Sequence, residues 1–192
     1  MKTRNYLSIL TAVVLMSTLL IFQSGCNKDD DNNTNEGTAN FAISLESSTS
    51  LRAAYDAVNI DIQQVSIHTS SDESETTGWF DLETNTGIYD LLDYDAGNDT
   101  IIAIDSVLQV QTVSQIRLIL GDNNTVVENG ETHDLDTPSA QTSGLKIQIN
   151  ATLEPNVRYK VVLDFDPEKS IVTTGNDKYK LQPVIKATLV QY

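Results

Sequence analysis

Few side chains in this 192-residue chain have the types and spacing that chemistry asks for. The only imidazoles are His68 and His133. A catalytic base needs a positioned nucleophile and an orienting partner. Neither histidine has a motif supplying them, so both are expected as exposed strand or turn residues. Ser143-Gly144-Leu145-Lys146 matches S-x-x-K by letters. That motif works when Ser opens a helix and Lys returns on the next turn. Here Leu145-Lys146-Ile147 alternates as a strand, which sends Ser143 and Lys146 to opposite faces. No catalytic residue is assigned. Asp93, Asp95, Gly97 and Asp99 give D-x-D-x-G-x-D, and alternate carboxylates in a turn can gather around Ca²⁺. No bidentate Glu follows at the EF-hand distance. Asp164 and Asp166 form a second alternating pair. The plainer expectation for all of these is solvated carboxylates, which also block edge-to-edge pairing of sheets. Two carboxyls across a cleft would suit a glycosidase, but with 27 acids some pair always satisfies that distance. Trp79, Tyr89, Tyr94, Tyr159 and Tyr179 could stack on a sugar. Tyr159 falls on an alternating apolar face and Trp79 lies beside Phe80 and Leu82, so core packing is expected for these two.

The charge balance narrows the partners. The chain has 12 Lys+Arg against 27 Asp+Glu, a formal net charge of −15. Non-specific nucleic-acid binding rests on cations neutralising phosphates, so no nucleic-acid partner is expected. One Cys excludes a disulfide framework within the chain and, with two His, a Cys₄ or Cys₂His₂ zinc site. No cofactor is expected beyond the Ca²⁺ just considered. Hydrophobic residues at 40% and charged residues at 20% are a foldable mix rather than a disordered one. The length suits one domain of ordinary size.

The elements that must carry these residues read as strands. Phe41, Ile43 and Leu45 alternate with polar neighbours, as do Val58, Ile60 and Ile62. Val65 and Ile67 continue in a shifted phase, so a bulge is expected at Gln63-Gln64. Ile116, Leu118 and Leu120; Leu145, Ile147 and Ile149; and Val157, Tyr159, Val161, Leu163 and Phe165 repeat the theme. Strict alternation leaves one face buried and one wet, which suits antiparallel sheets. Turn residues punctuate the runs at Asp122-Asn123-Asn124, Glu154-Pro155-Asn156, Asp166-Pro167 and Gly175-Asn176-Asp177. Asn129-Gly130 is the clearest hairpin signal. Ile88–Tyr94 reads equally as strand or as one helical turn. Many short strands with frequent turns predict an all-β fold over 39–192, an antiparallel β-sandwich (immunoglobulin-like or transthyretin-like) or an open barrel.

The N-terminus reads as an address. Lys2 and Arg4 precede an uncharged, mostly apolar run from Tyr6 to Phe22, followed by Gln23, Ser24, Gly25 and the lone Cys26. A basic start, an apolar stretch and small residues form a secretory signal. Residues 20–26 resemble the end of a bacterial lipoprotein signal. That resemblance implies cleavage after 25, a diacylglyceryl thioether on Cys26 and acylation of its new amine. Gln23 departs from the usual aliphatic residue. Two or three acyl chains give stable anchoring, at about 0.8 kcal/mol per buried CH₂. Loss of residues 1–25 removes Lys2 and Arg4 but no acid, which leaves ten cations against 27 acids, about −17. Residues 26–38 carry no apolar anchor after Cys26 and are expected to be an acidic disordered tether. Within them Lys28, Asp29, Asp30 and Asp31 resemble the surface-export signal of Bacteroidetes lipoproteins, implying an outer-membrane lipoprotein facing the cell exterior. Asp99-Thr100-Ile101 and Asp105-Ser106-Val107 resemble the O-glycosylation acceptor of the same bacteria. Asn98 and Asn150 open sequons of the eukaryotic kind, which a bacterial address discounts.

The body also resembles a family. YDAVNI at 55–60, Trp79, YDLL at 89–92, QIRLIL at 115–120, GLKI at 144–147, LDFD at 163–166 and YKLQPVI at 179–185 follow the order and spacing of the bacterial domain of unknown function 4382. The resemblance implies a β-sandwich in secreted or lipid-anchored proteins and brings no catalytic residue. The expected function is therefore a surface-exposed, non-catalytic binding or accessory module for a glycan or protein ligand. The alternatives are a structural or adhesive component that acts by assembly, and then a hydrolase.

Overall fold

A computed structural model describes residues 37–47, 54–69, 78–95, 97–109, 112–137, 139–175 and 178–192. In chain order the strands are β1 (Thr38–Ser47), β2 (Ala57–His68), β3 (Trp79–Asp81), β4 (Glu83–Thr84), β5 (Gly87–Asp90), β6 (Thr100–Gln109), β7 (Thr112–Leu120), β8 (Thr125–Glu128), β9 (Glu131–Asp136), β10 (Leu145–Thr152), β11 (Arg158–Phe165), β12 (Ile171–Thr173), β13 (Tyr179–Leu181) and β14 (Ile185–Gln191). A 3-10 turn spans Leu91–Asp93, and a single helical turn, α1, spans Pro167–Ser170. Two sheets pack as a sandwich. The first runs β14-β11-β1-β6-β4. The second runs β10-β7-β2-β8-β9-β13-β12, with β3 and β5 also paired to β2.

The alternation translates directly into burial. Phe41, Ile43 and Leu45 of β1 and Tyr159, Val161, Leu163 and Phe165 of β11 are buried from one side. Val58, Ile60, Ile62, Val65, Ile67, Ile116, Leu118, Leu145 and Ile147 join the same core from the second sheet. The buried Tyr159 keeps its hydroxyl satisfied, since the Glu154 amide and the Gln191 side chain donate to it at 2.9 and 3.3 Å.

The sheets are mixed, which corrects the expectation of purely antiparallel pairing. β1 runs parallel to β11 over eight register pairs, and β13 runs parallel to β9. Period-two patterning reports which face is buried; it carries no information about the direction of a neighbour. The outer row of β1 at Ala42 and Ser44 is also buried, as suits a strand in the middle of its sheet.

Two local devices appear as the sequence predicts. The β2–β7 ladder shifts register between Ile62 and Gln64. This bulge lets Val58, Ile60 and Ile62 face the core together with Val65 and Ile67. Thr84 Oγ1 accepts from the Val65 amide at 3.0 Å and so satisfies a backbone donor beside it. Asn129 and Gly130, at φ 53° and 77°, close β8 onto β9 with Glu128 opposite Glu131. Both angles are those of a two-residue hairpin turn. The Ile88–Tyr94 ambiguity resolves as β5 followed by the 3-10 turn, with the Asp90 carboxylate accepting from the Leu92 and Val58 amides. Asp166-Pro167, read as a turn, is the start of α1: Asp166 caps the Lys169 amide and Pro sits in the first turn, where a missing N–H costs nothing.

Candidate functional site

The bulge in β2 decides which side chains reach the outer face of the second sheet. With Val65 and Ile67 turned inward, Ser66 and His68 turn outward. β3 sets Asp81 opposite Ser66 and Trp79 opposite His68. β7 sets Arg117 and Gln115 opposite the same two residues, and β10 adds Lys146 and Gln148. Two adjacent rows result: Asp81–Ser66–Arg117–Lys146 and Trp79–His68–Gln115–Gln148. The Arg117 guanidinium lies over the Trp79 ring, 4.3 Å from its centroid. His68 packs on the same indole at 5.0 Å with the rings tilted by 59°. Ser66 Oγ donates to Asp81 Oδ1 at 2.7 Å and accepts a long 3.5 Å contact from Arg117 Nη2.

This cover buries two polar residues on a nominally wet face. His68 is only 2% exposed and Ser66 is fully enclosed, which corrects the expectation of an exposed His68. Trp79 was expected in the core; it lies half-buried on the outer face because its register partner is His68. His68 Nδ1 is 2.9 Å from Ser114 Oγ. The Ser114 proton goes to the His68 carbonyl oxygen at 3.1 Å. The two contacts orient His68 and Ser114 on each other.

The other sequence-derived candidates are scattered. Asp99 turns to Lys160, with Nζ at 3.0 and 2.9 Å from its two oxygens. Burial raises the Asp99 carboxyl, but the Ser44 hydroxyl beside it and the Lys160 ammonium outweigh that and hold its pKa below the ordinary carboxylate value. Asp95 and Asp93 serve the turn through their carbonyls, which accept from the Asn98 amide at 2.8 Å and side chain at 2.9 Å. Asp93, Asp95 and Asp99 thus do not converge. Among the described residues, no three His, Cys, Asp or Glu side chains come together as a metal-holding group. Asp166 is engaged as the α1 cap and by Lys169 Nζ, whose ammonium keeps its carboxyl below the usual range. Asp164 stays on the outer row of β11, opposite Lys186 in register. Ser143 lies in a loop and Lys146 on β10. His133 packs against Tyr179 at 5.0 Å, with the rings tilted by 48°, beside an open cleft of about 360 Å³ that Asp134, Asp136, Lys178 and Lys180 also line. The aromatics form no shared platform: Tyr159 is core, Tyr89 and Tyr94 pair at 6.3 Å, and Tyr179 donates to Glu128 at 2.6 Å. Cys26, Lys28, Asp29, Asp30 and Asp31 lie outside the described residues.

A family model described as Domain of unknown function (DUF4382) matches residues 36–183. The chain belongs to this family. No curated protein and no solved structure matches the chain. The DUF4382 match runs from β1 through β13 and contains every residue of the outer-face cluster. β14 falls just beyond it.

What this DUF4382 face offers chemically is a fixed guanidinium. Arg117 Nε and Trp79 Nε1 are both buried without a hydrogen-bond partner. The arginine stem is clamped from the far side by Gly144, whose φ of +75° excludes ordinary side chains and where a Cβ would strike Arg117 Cγ. Sequence reading missed Arg117 because QIRLIL shows only that it points away from the core. The indole against its guanidinium and the glycine against its stem come from β3 and the approach to β10, 38 and 27 residues away in either direction.

Proposed function

We propose that this DUF4382 protein is a lipid-anchored outer-membrane protein displayed on the cell surface. Its sandwich then works as a non-catalytic binding module for an envelope glycan or protein. The address rests on the apolar run ending at Cys26 and on the acidic Lys28–Asp31 stretch behind it. Two or more acyl chains hold such a chain without a spanning helix. An anionic body near anionic lipid is repelled, so the lipid would attach the protein while the folded surface stays free. The observation that carries the binding role is the Arg117 guanidinium, stacked on Trp79 on an exposed sheet face and ion-paired to no described carboxylate.

Fractionation and protease shaving of intact cells test the address. Cys26→Ser should leave the membrane fraction, and the wild-type body should be cleaved from outside. Retention of the variant in the membrane would end the lipid reading, and protection of the body would end surface display. A glycan array and an envelope pull-down test the binding. A ligand captured by the wild type and lost in a folded Arg117→Gln variant supports the module; capture by both removes Arg117 from it.

Assembly is a second reading with an observation of its own. β14 ends the five-stranded sheet and, among the described residues, is laddered on one side only, to β11. Beyond Lys186 it runs from Ala187 to Gln191 without a charged side chain. An edge of that kind accepts an added strand. Val190→Lys should abolish oligomers in light scattering if β14 assembles, and leave them unchanged if it does not.

A further inference from the structure

We infer that the Arg117–Trp79 shelf binds a carboxylate, with the guanidinium as a two-pronged donor. This rests on the reading of that face as the binding surface. The chain has 27 acids and 12 cations, so a basic side chain finds a local carboxylate easily. Lys160 and Lys169 have done so, with Asp99 and Asp166. Arg117 has not, among the described residues. Its polar contacts are a π face and one 3.5 Å approach to Ser66 Oγ; Nε is enclosed without a partner, which leaves the two Nη groups as the prongs. Asp81, the acid of its own row, is held on the far side of Ser66 by the Ser66 hydroxyl.

Two features prepare the group for an anion. Trp79 fixes the guanidinium plane, and Gly144 leaves the arginine stem no room to swing aside. A rigid planar fork matches the two oxygens of a carboxylate better than it matches a point anion. The indole itself is not available for sugar stacking, since Arg117 covers one side and His68 packs against it. The recognised feature is therefore the charge. It could be carried by a uronic sugar or by an acidic amino acid.

Trp79 is the only tryptophan, so tryptophan emission, excited at the red edge where the tyrosines do not absorb, reports this site alone in the full-length protein. The titrants are sodium glucuronate and N-acetylaspartate at constant ionic strength. Glucuronate methyl ester serves as the uncharged control and sulfate as the tetrahedral one. A saturable emission change with the carboxylates, absent with the ester and at least tenfold weaker with sulfate, is expected. The stronger of the two carboxylates identifies the carrier. Arg117→Lys should weaken the response at least tenfold and Arg117→Gln should remove it, with thermal melts confirming both folded. No saturable change in the wild type overturns the inference, as does an undiminished response in folded Arg117→Gln. Should an envelope ligand still depend on Arg117 while every carboxylate is silent, the ligand class fails and the binding face stands. Should that ligand be indifferent to Arg117, the face fails as well.

Discussion

Asp61 holds the bulge that builds the outer face, and removing its carboxylate should be costly in a graded way. The residue is 3% exposed on β2. Oδ1 accepts from the side chain of Gln63, the residue inside the register shift. Oδ2 accepts from the Asn123 amide and side chain at 3.2 and 3.0 Å. Its backbone is gripped as well, by Asn124 Oδ1 at 2.9 Å and by the Gly121 amide at 2.8 Å. Hydrogen bonds to a charged group contribute about 1.5–3 kcal/mol each. All three donors belong to the exposed residues Gln63 and Asn123, and the two side-chain amides among them can rehydrate in part. Asp61→Ala should therefore cost about 3 kcal/mol, roughly 6–12 °C in Tm for a domain of this size. Asp61→Asn should cost only about 1 kcal/mol, because the Gln63 amide can reverse and accept from the new NH₂ while Asn123 keeps its acceptor. Adding Gln63→Glu should recover most of that loss by supplying a carboxylate to the same NH₂. Urea midpoints with unchanged slopes measure all three. An Asp61→Asn variant as unstable as Asp61→Ala would refute the hydrogen-bond account, and so would an Asp61→Ala loss below about 0.5 kcal/mol, the level of an ordinary surface change.

Three further outcomes follow from the same structure. Gly144→Ala forces a Cβ into a left-handed backbone position against Arg117 Cγ and Ile119 Cδ1; a loss of about 1–3 kcal/mol and an altered Trp79 emission are expected in denaturation and fluorescence. Tyr159→Phe strips the acceptor from the Glu154 amide and should lower stability by about 1–2 kcal/mol, read as a shift in the urea midpoint. Asp99 has a folded pKa below the ordinary carboxylate value, so its contribution is complete above that ordinary value and is lost as the pH falls through the lowered one. Stability measured from pH 5 down to 2 should fall less steeply in Asp99→Asn, and an unchanged acid limb would remove the Lys160 pair from the account.

Local rules were legible and cross-strand partners were not. The Gln63-Gln64 bulge could be read because a phase slip in a period-two pattern has few other causes. The Asn129-Gly130 hairpin could be read because its backbone angles demand those residue types. Asp61 looked like any polar residue in an alternating strand. Its importance comes from Asn123, 62 residues away, which only folding brings alongside. Trp79 was placed in the core by its apolar neighbours Phe80 and Leu82, yet β3 spans three residues and offers too short an alternation to fix a face. The Asp93-Asp95-Asp99 spacing suggested a shared cation, but spacing alone did not reveal Lys160, which reaches Asp99 from β11.

The bulge ties stability and site chemistry to one cause. A regular β2 with the same sequence would turn Ser66 and His68 into the core whenever Val58, Ile60 and Ile62 faced it, and would expose Val65 and Ile67. Burying a serine and an imidazole without their partners costs more than the bulge's broken ladder, so the extra residue at 63 is the lower-energy solution. The same residue aims Ser66 and His68 at Trp79 and Arg117. The sandwich therefore cannot relax its core register without dismantling the shelf. In an acid-rich chain that arrangement keeps one guanidinium in place against an indole, where a pairing carboxylate from the chain itself would otherwise claim it.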